Sequence, residues 1–308
     1  MNGVLVVDKP IGPSSHDIVV RVRRATGGAR VGHTGTLDPL ASGVLPLVVG
    51  RASRLAQFLT SREKTYEAEI TLGLETDTYD ITGTPVAPGD GPNDRGPSRE
   101  AIASALAAFR GSSEQRPPPF SAKKIGGRRA YALARRGTPV SPPPAAVTVS
   151  LLELEALDGP RLRVRLTCTA GFYVRSLAHD LGARLGTGGC LSALRRVRSG
   201  DFDIADAVTL EALDQEADTA AAIESRLIPM SRLLPGMPSV TLTGDGARRA
   251  SQGNLIGPPH LKAPFPAFAG GSPRVRLLDE EGRLIAIAEP VDVDEDEPGF
   301  LHPGIVVG

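Results

Sequence analysis

Residues 30 to 54 read RVGHTGTLDPLASGVLPLVVGRASR. Asp38 is the only carboxylate in this glycine-rich, otherwise apolar stretch, with His33 five positions before it and arginines at both ends. Gly32, Gly35 and Gly43 allow the backbone to approach a ligand closely, Pro39 fixes φ directly after Asp38, and the Leu and Val residues that follow exclude water. A carboxylate so placed acts in a low dielectric, which makes Asp38 the candidate reaction centre. The Asp-Pro pair taken alone also fits a helix start, with Asp38 as N-cap and Pro39 at the first helical position.

Reading outward, Val4 to Val7 is a short β-rich run stopped by Asp8-Lys9-Pro10, and Ser14 or Ser15 caps a helix with Ile18, Val19 and Val22 on one face. Downstream, Ser53 to Leu59 reads as helix. Thr65 to Leu72 alternates as a half-buried strand with Tyr66, Ala68 and Ile70 on one face. Residues 85–97, PVAPGDGPNDRGP, form a polar loop before a helix from Ser98 to Arg110 that Gly111 closes. Residues 115–144, QRPPPFSAKKIGGRRAYALARRGTPVSPPP, are framed by prolines and read as a mobile basic arm with one short helix near Arg129 to Arg136. Arg161 to Thr169 alternates as a strand with a solvent face, and Tyr173 to Leu185 fits a helix after the Gly171 turn. The composition shifts near residue 236. Beyond it, RVRLLD (274–279) and RLIAIAE (283–289) flank a Glu280-Glu281-Gly282 turn in a small β-rich terminal domain. Strand and helix alternate irregularly, an α+β pattern.

With 308 residues, 41% hydrophobic and 4% aromatic, the chain can bury one large core plus a small second domain. The 35 basic and 35 acidic residues cancel, which excludes a uniformly basic coat but leaves room for basic clusters. Such clusters occur at Arg21 to Arg30, Lys123 to Arg136 and Arg195 to Arg198, whereas acids gather at Asp292 to Glu297. Two cysteines and five histidines without ligand spacing give neither a disulfide framework nor a zinc site, so no metal is expected. No apolar stretch is long enough to span a bilayer and no signal peptide opens the chain, so a cytoplasmic monomer without membrane association is the expectation.

Three further segments mix polar and apolar residues as a buried polar site requires: KTYEAEITLGLETDTYD, TAGFYVRSLAHDLG and LSALRRVRSGDF. Arg175 offers paired charge-assisted hydrogen bonds to a buried carboxylate, and Asp80 can steady the arginine. Tyr66 offers a ring for stacking on a base and a hydroxyl for a proton or hydrogen bond. Singly, each has a plainer role: a strand aromatic for Tyr66, a helix-surface ion pair for Arg175, a structural residue for His33.

Together the segments resemble the bacterial tRNA pseudouridine(55) synthase family, the TruB type. The matching pieces are GVLVVDKPIGPSSHDIV (3–19), GHTGTLDPLASGVLPL (32–47), KTYEAEITLG (64–73), TDTYD (76–80), RPPPFSAKKIGGRRAY (116–131), GFYVRSLAHDLG (171–182) and LRRVRSGDF (194–202). Ser42 stands where a threonine is more usual. The resemblance implies a catalytic domain over residues 1–235, with a central mixed or antiparallel sheet flanked by helices, and a small PUA-like RNA-binding domain over 236–308. It implies that Asp38 is the catalytic residue, supported by Tyr66, Arg175 and Asp80, with Leu194 beside the base and His33 filling the space that an extruded nucleotide leaves. Lys9 and Pro10 match a motif that supports the site.

The reaction so implied breaks the N-glycosidic bond of uridine, turns the base and rejoins it through C5, with no cofactor. Asp38, held by Arg175, serves as nucleophile or as a base removing a sugar proton, and the reading leans to the second. Lys123, Lys124, Arg128, Arg129, Arg195 and Arg196 are the expected contacts to phosphates of the tRNA T arm. Two other classes compete: a noncatalytic tRNA-binding or folding protein using the same basic surface, and a small-molecule glycosyl-transferring enzyme, which would want a second carboxylate at a set separation.

Overall fold

The structure, a computed structural model, describes residues 1–87, 96–121, 124–125, 128–129, 142–263, 274–291 and 299–308. Most of the 85–97 loop, Lys123, the expected helix after Arg129 and the acidic run at 292–297 therefore lie outside the described residues.

The chain from Gly3 to Pro229 is organised on an 11-stranded mixed sheet. Its principal elements are β1 (Gly3–Lys9), α1 (Ser15–Ala25), β2 (Val31–His33), β3 (Ala41–Val49), β4 (Lys64–Leu72), α2 (Arg99–Ala107), β5 (Gly111–Gln115), β6 (Ala145–Asp158), β7 (Arg161–Cys168), α3 (Val174–Leu185), β8 (Gly189–Ser199) and β9 (Val208–Thr209). Eight of these strands run in the order β9-β1-β3-β8-β4-β7-β6-β5. The β3–β8 and β1–β9 pairs are parallel, whereas β8–β4, β4–β7 and β7–β6 are antiparallel. The fold is α+β, with a mixed sheet and helices packed on it.

Side-chain parity on β1 and β3 shows that these strands are buried on both faces. Leu5, Val7, Leu45, Leu47 and Val49 join one core with Ile18, Val19 and Val22 of α1. Val4, Val6, Val44 and Val48 point the other way, into a second core with Leu284, Ile287 and Val307 of the C-terminal region. Strands buried on both faces read as continuous apolar runs, as these do. Ser14 caps α1 by accepting from Asp17 N–H, and the Asp17 side chain returns the bond in a capping box. On β4, Tyr66, Ala68, Ile70 and Leu72 face the core, matching the alternation read from the sequence.

The last part of the chain forms a separate four-stranded sheet, β10 (Ser239–Thr241), β11 (Val275–Leu278), β12 (Leu284–Val291) and β13 (Phe300–Val306), in that order, with α4 (Gly244–Ser251) packed against it. It has its own core around Leu242, Ile256, Leu277, Ala286 and Leu301. The turn at Gly282, φ 76°, joins β11 and β12. No helix of the described residues is long and apolar enough to cross a membrane.

Candidate active site

Asp38 lies in the loop joining β2 to β3, and hydrogen bonds fix its neighbours on both sides. Ser15 Oγ donates to the Leu37 carbonyl at 2.9 Å and accepts from the Leu37 N–H at 2.8 Å. The Gly12 N–H donates to Pro39 O at 2.9 Å, and the Ala41 N–H to Asp38 O at 3.0 Å. This last bond closes a turn with Asp at its first position and Pro at its second, where a preset φ fits. Asp38 is therefore no helix N-cap. The β-branched run that follows enters the ladder beside β1 and β8, where its side chains are buried and its peptides paired, and this outweighs a local helix start.

Lys9 is fully buried, and its ammonium donates to Pro10 O at 2.8 Å and Pro13 O at 2.9 Å. These bonds gather the turn that delivers Gly12 to the Asp38 loop. Burial lowers the Lys9 pKa to about 8, against the opposing pull of the Asp38 carboxylate.

Arg175 sits in the first turn of α3, and is 7% exposed at its side chain. Its Nη2 lies 2.9 Å from Asp38 Oδ2 and donates to Phe120 O at 2.9 Å. Nη1 donates to Thr78 O at 3.0 Å and lies 3.7 Å from Asp80 Oδ2. The contact to Asp38 thus uses one carboxylate oxygen rather than a paired set, because the other donors are taken by two carbonyls and Asp80. Asp80 is buried, and its Oδ1 accepts from Thr78 Oγ1, Thr82 N and Thr82 Oγ1. The N-terminus of α3 is clamped by Gln115, whose side chain donates to Tyr173 O at 3.0 Å and accepts from Tyr173 N at 2.8 Å.

Asp38, Arg175, Tyr66 and Leu194 line one cavity of about 230 Å³, together with Lys64 and Arg196. The Asp38 side chain is 41% exposed, so it borders solvent instead of standing in the sealed, low-dielectric setting that its apolar neighbours suggested. Tyr66 is buried, and burial raises its pKa while the neighbouring Arg196 cation opposes the rise. Lys64 donates to Thr60 O at 2.9 Å and Arg62 O at 2.7 Å, and burial lowers its pKa to about 8. His33, Lys9, Pro10 and Asp80 do not line this cavity. The His33 ring accepts from the Gly35 N–H at 3.3 Å.

The expected phosphate contacts divide. Lys124 and Arg128–Arg129 fall in a short antiparallel strand pair, Lys124–Ile125 with Arg128–Arg129, of which the backbone alone is described. Arg195 is half exposed and forms a two-pronged pair with Asp8, at 2.8 and 3.2 Å. Arg196 is 0% exposed and belongs to the cavity floor, which removes it from the RNA-facing surface. The close approach at Gly43 is likewise to protein: a Cβ there would lie 2.2 Å from Arg196 O. Lys64 and Arg196 had a legible signal, since each is two residues from an inward-facing partner, Tyr66 and Leu194, on the same strand face. The Gln115 clamp had none.

Comparison with known proteins accords with this geometry. Residues 23–174 match the model of the TruB family pseudouridylate synthase N-terminal domain, and residues 175–235 that of the tRNA pseudouridylate synthase B C-terminal domain. The chain is 42% identical over 308 residues to a tRNA pseudouridine synthase B of Solibacter usitatus, covering 100% of both chains. It is 46% identical over 256 residues to the protein of that name from Symbiobacterium thermophilum, covering 82% of each. A chain of a solved Cbf5-Nop10-Gar1 complex is similar at 25% identity with a TM-score of 0.73, over 99% of this chain and 85% of that one. The chain belongs to the TruB family of pseudouridylate synthases.

Proposed function

We propose that the chain isomerises uridine to pseudouridine at position 55 in the T loop of tRNA, with Asp38 as the catalytic residue. The observation that carries this reading is the Asp38–Arg175 pair at 2.9 Å, set at a cavity that Tyr66 and Leu194 share. The target uridine is stacked in the folded loop, so its base leaves the stack and enters the cavity between Tyr66 and Leu194, while His33 occupies the vacated space. Asp38 acts at the sugar. The N1–C1′ bond breaks with its electron pair going to the base, the base turns, a C5–C1′ bond forms, and the C5 proton departs while N1, freed of the sugar, takes up a proton. Arg175, tied to Asp80 and two backbone carbonyls, holds the Asp38 carboxylate at one place while this happens.

The strand pair and flanking residues of 115–144 and Arg195 contact phosphates of the T arm, and the C-terminal sheet serves as a PUA-like RNA-binding domain over 236–308. The protein works as a cytoplasmic monomer without a cofactor. T-arm RNA carrying tritium at uridine C5 tests the reading, with Asp38→Asn beside the wild type. Release by the wild type alone is expected. Equal RNA binding by both proteins without release from either would favour a tRNA-binding or folding protein instead.

A further inference from the structure

Arg196 and Lys9 are the largest fully buried side chains among the described residues, and the roles given above leave Arg196 without a task. Arg196 stands on β8 directly opposite Tyr66 on β4, as an antiparallel register partner, so the two side chains share one face of the sheet. Its Nε donates to Val44 O on β3 at 2.7 Å, and its Nη2 to Gly35 O in the Asp38 loop at 3.1 Å. Nη1 is enclosed without a hydrogen-bonded partner of its own, and the guanidinium lies beside the Tyr66 hydroxyl. A buried cation with no carboxylate bonded to it is a poor choice for stability, because an apolar residue of similar volume would fill the space at lower cost. A chemical task accounts for it.

We propose that Arg196 is a positioning residue for the isomerisation: it fixes Tyr66 against the Asp38 loop and, as a cation beside the phenol, eases proton transfer through the Tyr66 oxygen. The inference rests on the reading of the cavity given above. When the rejoined base loses its C5 proton, the C5–H bond breaks, and its electron pair restores the C5–C6 double bond and displaces the C6–N1 pair onto N1, which takes a proton from water. The C5 proton passes to the Tyr66 oxygen as the phenol releases its own proton to water. Several groups bear on that oxygen. Burial and the Asp38 carboxylate disfavour the phenolate, and Arg196 favours it. The Cys168 thiol on β7 is pushed up to about 12 and is uncharged at neutral pH. Lys64 on β4, Arg175 on α3 and the Tyr173 phenol, whose pKa burial raises, line the same cavity, Lys9 on β1 acts on Asp38 and Arg196, and both lysines bind their ammonium groups to backbone carbonyls.

The test compares Arg196→Met and Arg196→Lys with the wild type in tritium release across pH, alongside NMR titration of an isotopically labelled Tyr66 ring carbon. Proton-transfer groups contribute roughly 100-fold or more, so losing the group that tunes one should lower kcat about 10-fold, with KM little changed. The limb of the kcat profile that reports Tyr66, and the ring-carbon titration, should both move to higher pH in Arg196→Met and less so in Arg196→Lys. In a Tyr66→Phe background, Arg196→Met should add no further loss. A loss that is equal at every pH with an unmoved ring titration, or one confined to KM, overturns the proposal. If Arg196→Met does not melt cooperatively, Arg196→Lys decides by the same readouts. Tritium release by Asp38→Asn would sink the reading of the cavity while leaving the Tyr66 titration to judge Arg196 separately.

Discussion

Substituting Gly43 tests whether the packing of β3 against β8 sets the geometry of the site. Gly43 has φ 102° and pairs with Arg196 across the parallel β3–β8 ladder. A Cβ added there would meet Arg196 O at 2.2 Å, Arg196 N at 2.8 Å and Arg196 C at 2.9 Å. All three are backbone atoms, so no rotamer change relieves the contact, and more than an ångström of separation is missing. Overpacking of this kind costs about 1–3 kcal/mol, and the forced backbone conformation adds about 1–3 kcal/mol. The expected loss for Gly43→Ala is therefore about 2–6 kcal/mol, a large part of a typical total of roughly 5–15 kcal/mol. At roughly 2 °C per kcal/mol for a chain of this length, Tm should fall by about 4–12 °C. Because the displaced backbone belongs to Arg196, tritium release should fall by about 100-fold in the folded fraction, the scale expected for a misplacement near 1 Å. Gly186, φ 70° at the C-terminus of α3 with open space around it, is the control. Gly186→Ala should cost about 1 kcal/mol with full activity. Gly43→Ala melting with the wild type and releasing tritium at the wild-type rate would refute the reasoning.

Two other outcomes are expected. Burial lowers the Lys64 pKa from 10.5 to about 8, so between these values the unfolded chain holds a proton that the folded chain has lost. Stability contributed by this site therefore rises with pH across that window. The Tm of Lys64→Met minus that of the wild type should fall steadily from pH 7 to pH 10; a difference that is flat with pH in thermal melts would contradict it. Replacing Lys123, Lys124, Arg128 and Arg129 together should weaken T-arm RNA binding and reduce the salt slope by roughly 3–4, at about 0.9 per phosphate contact. Unchanged affinity and slope in a salt titration would remove the arm as a phosphate contact.

Much of the architecture was legible because it depends on short-range pattern. The Ser14 cap, the apolar runs of β1 and β3, and the alternation of Tyr66, Ala68 and Ile70 follow from period and capping chemistry that a few neighbouring residues carry. The motif set likewise pointed to Asp38, Tyr66, Arg175 and Leu194, which the fold gathers around one cavity from the β2–β3 loop, β4, α3 and β8. Lys64 was overlooked and Arg196 was assigned to the phosphate-facing surface because charged residues read as solvent-facing unless strand parity is followed through them.

The sequence by itself determined the strand and helix pattern, the turn chemistry and the family, because these rest on local periodicity and on motifs whose residues are contiguous. Tertiary structure alone decided what the Asp-Pro pair became. Locally it suits a helix start, but the ladder with β1 and β8 draws the next residues into a strand and leaves Asp38 at a turn, 2.9 Å from an arginine on a distant helix. It also decided that Arg196 lies beneath the cavity rather than on the RNA-facing surface, bonded to Gly35 from 161 residues away. Contacts of such separation follow from the order in which strands are laid side by side, and no local propensity encodes that order.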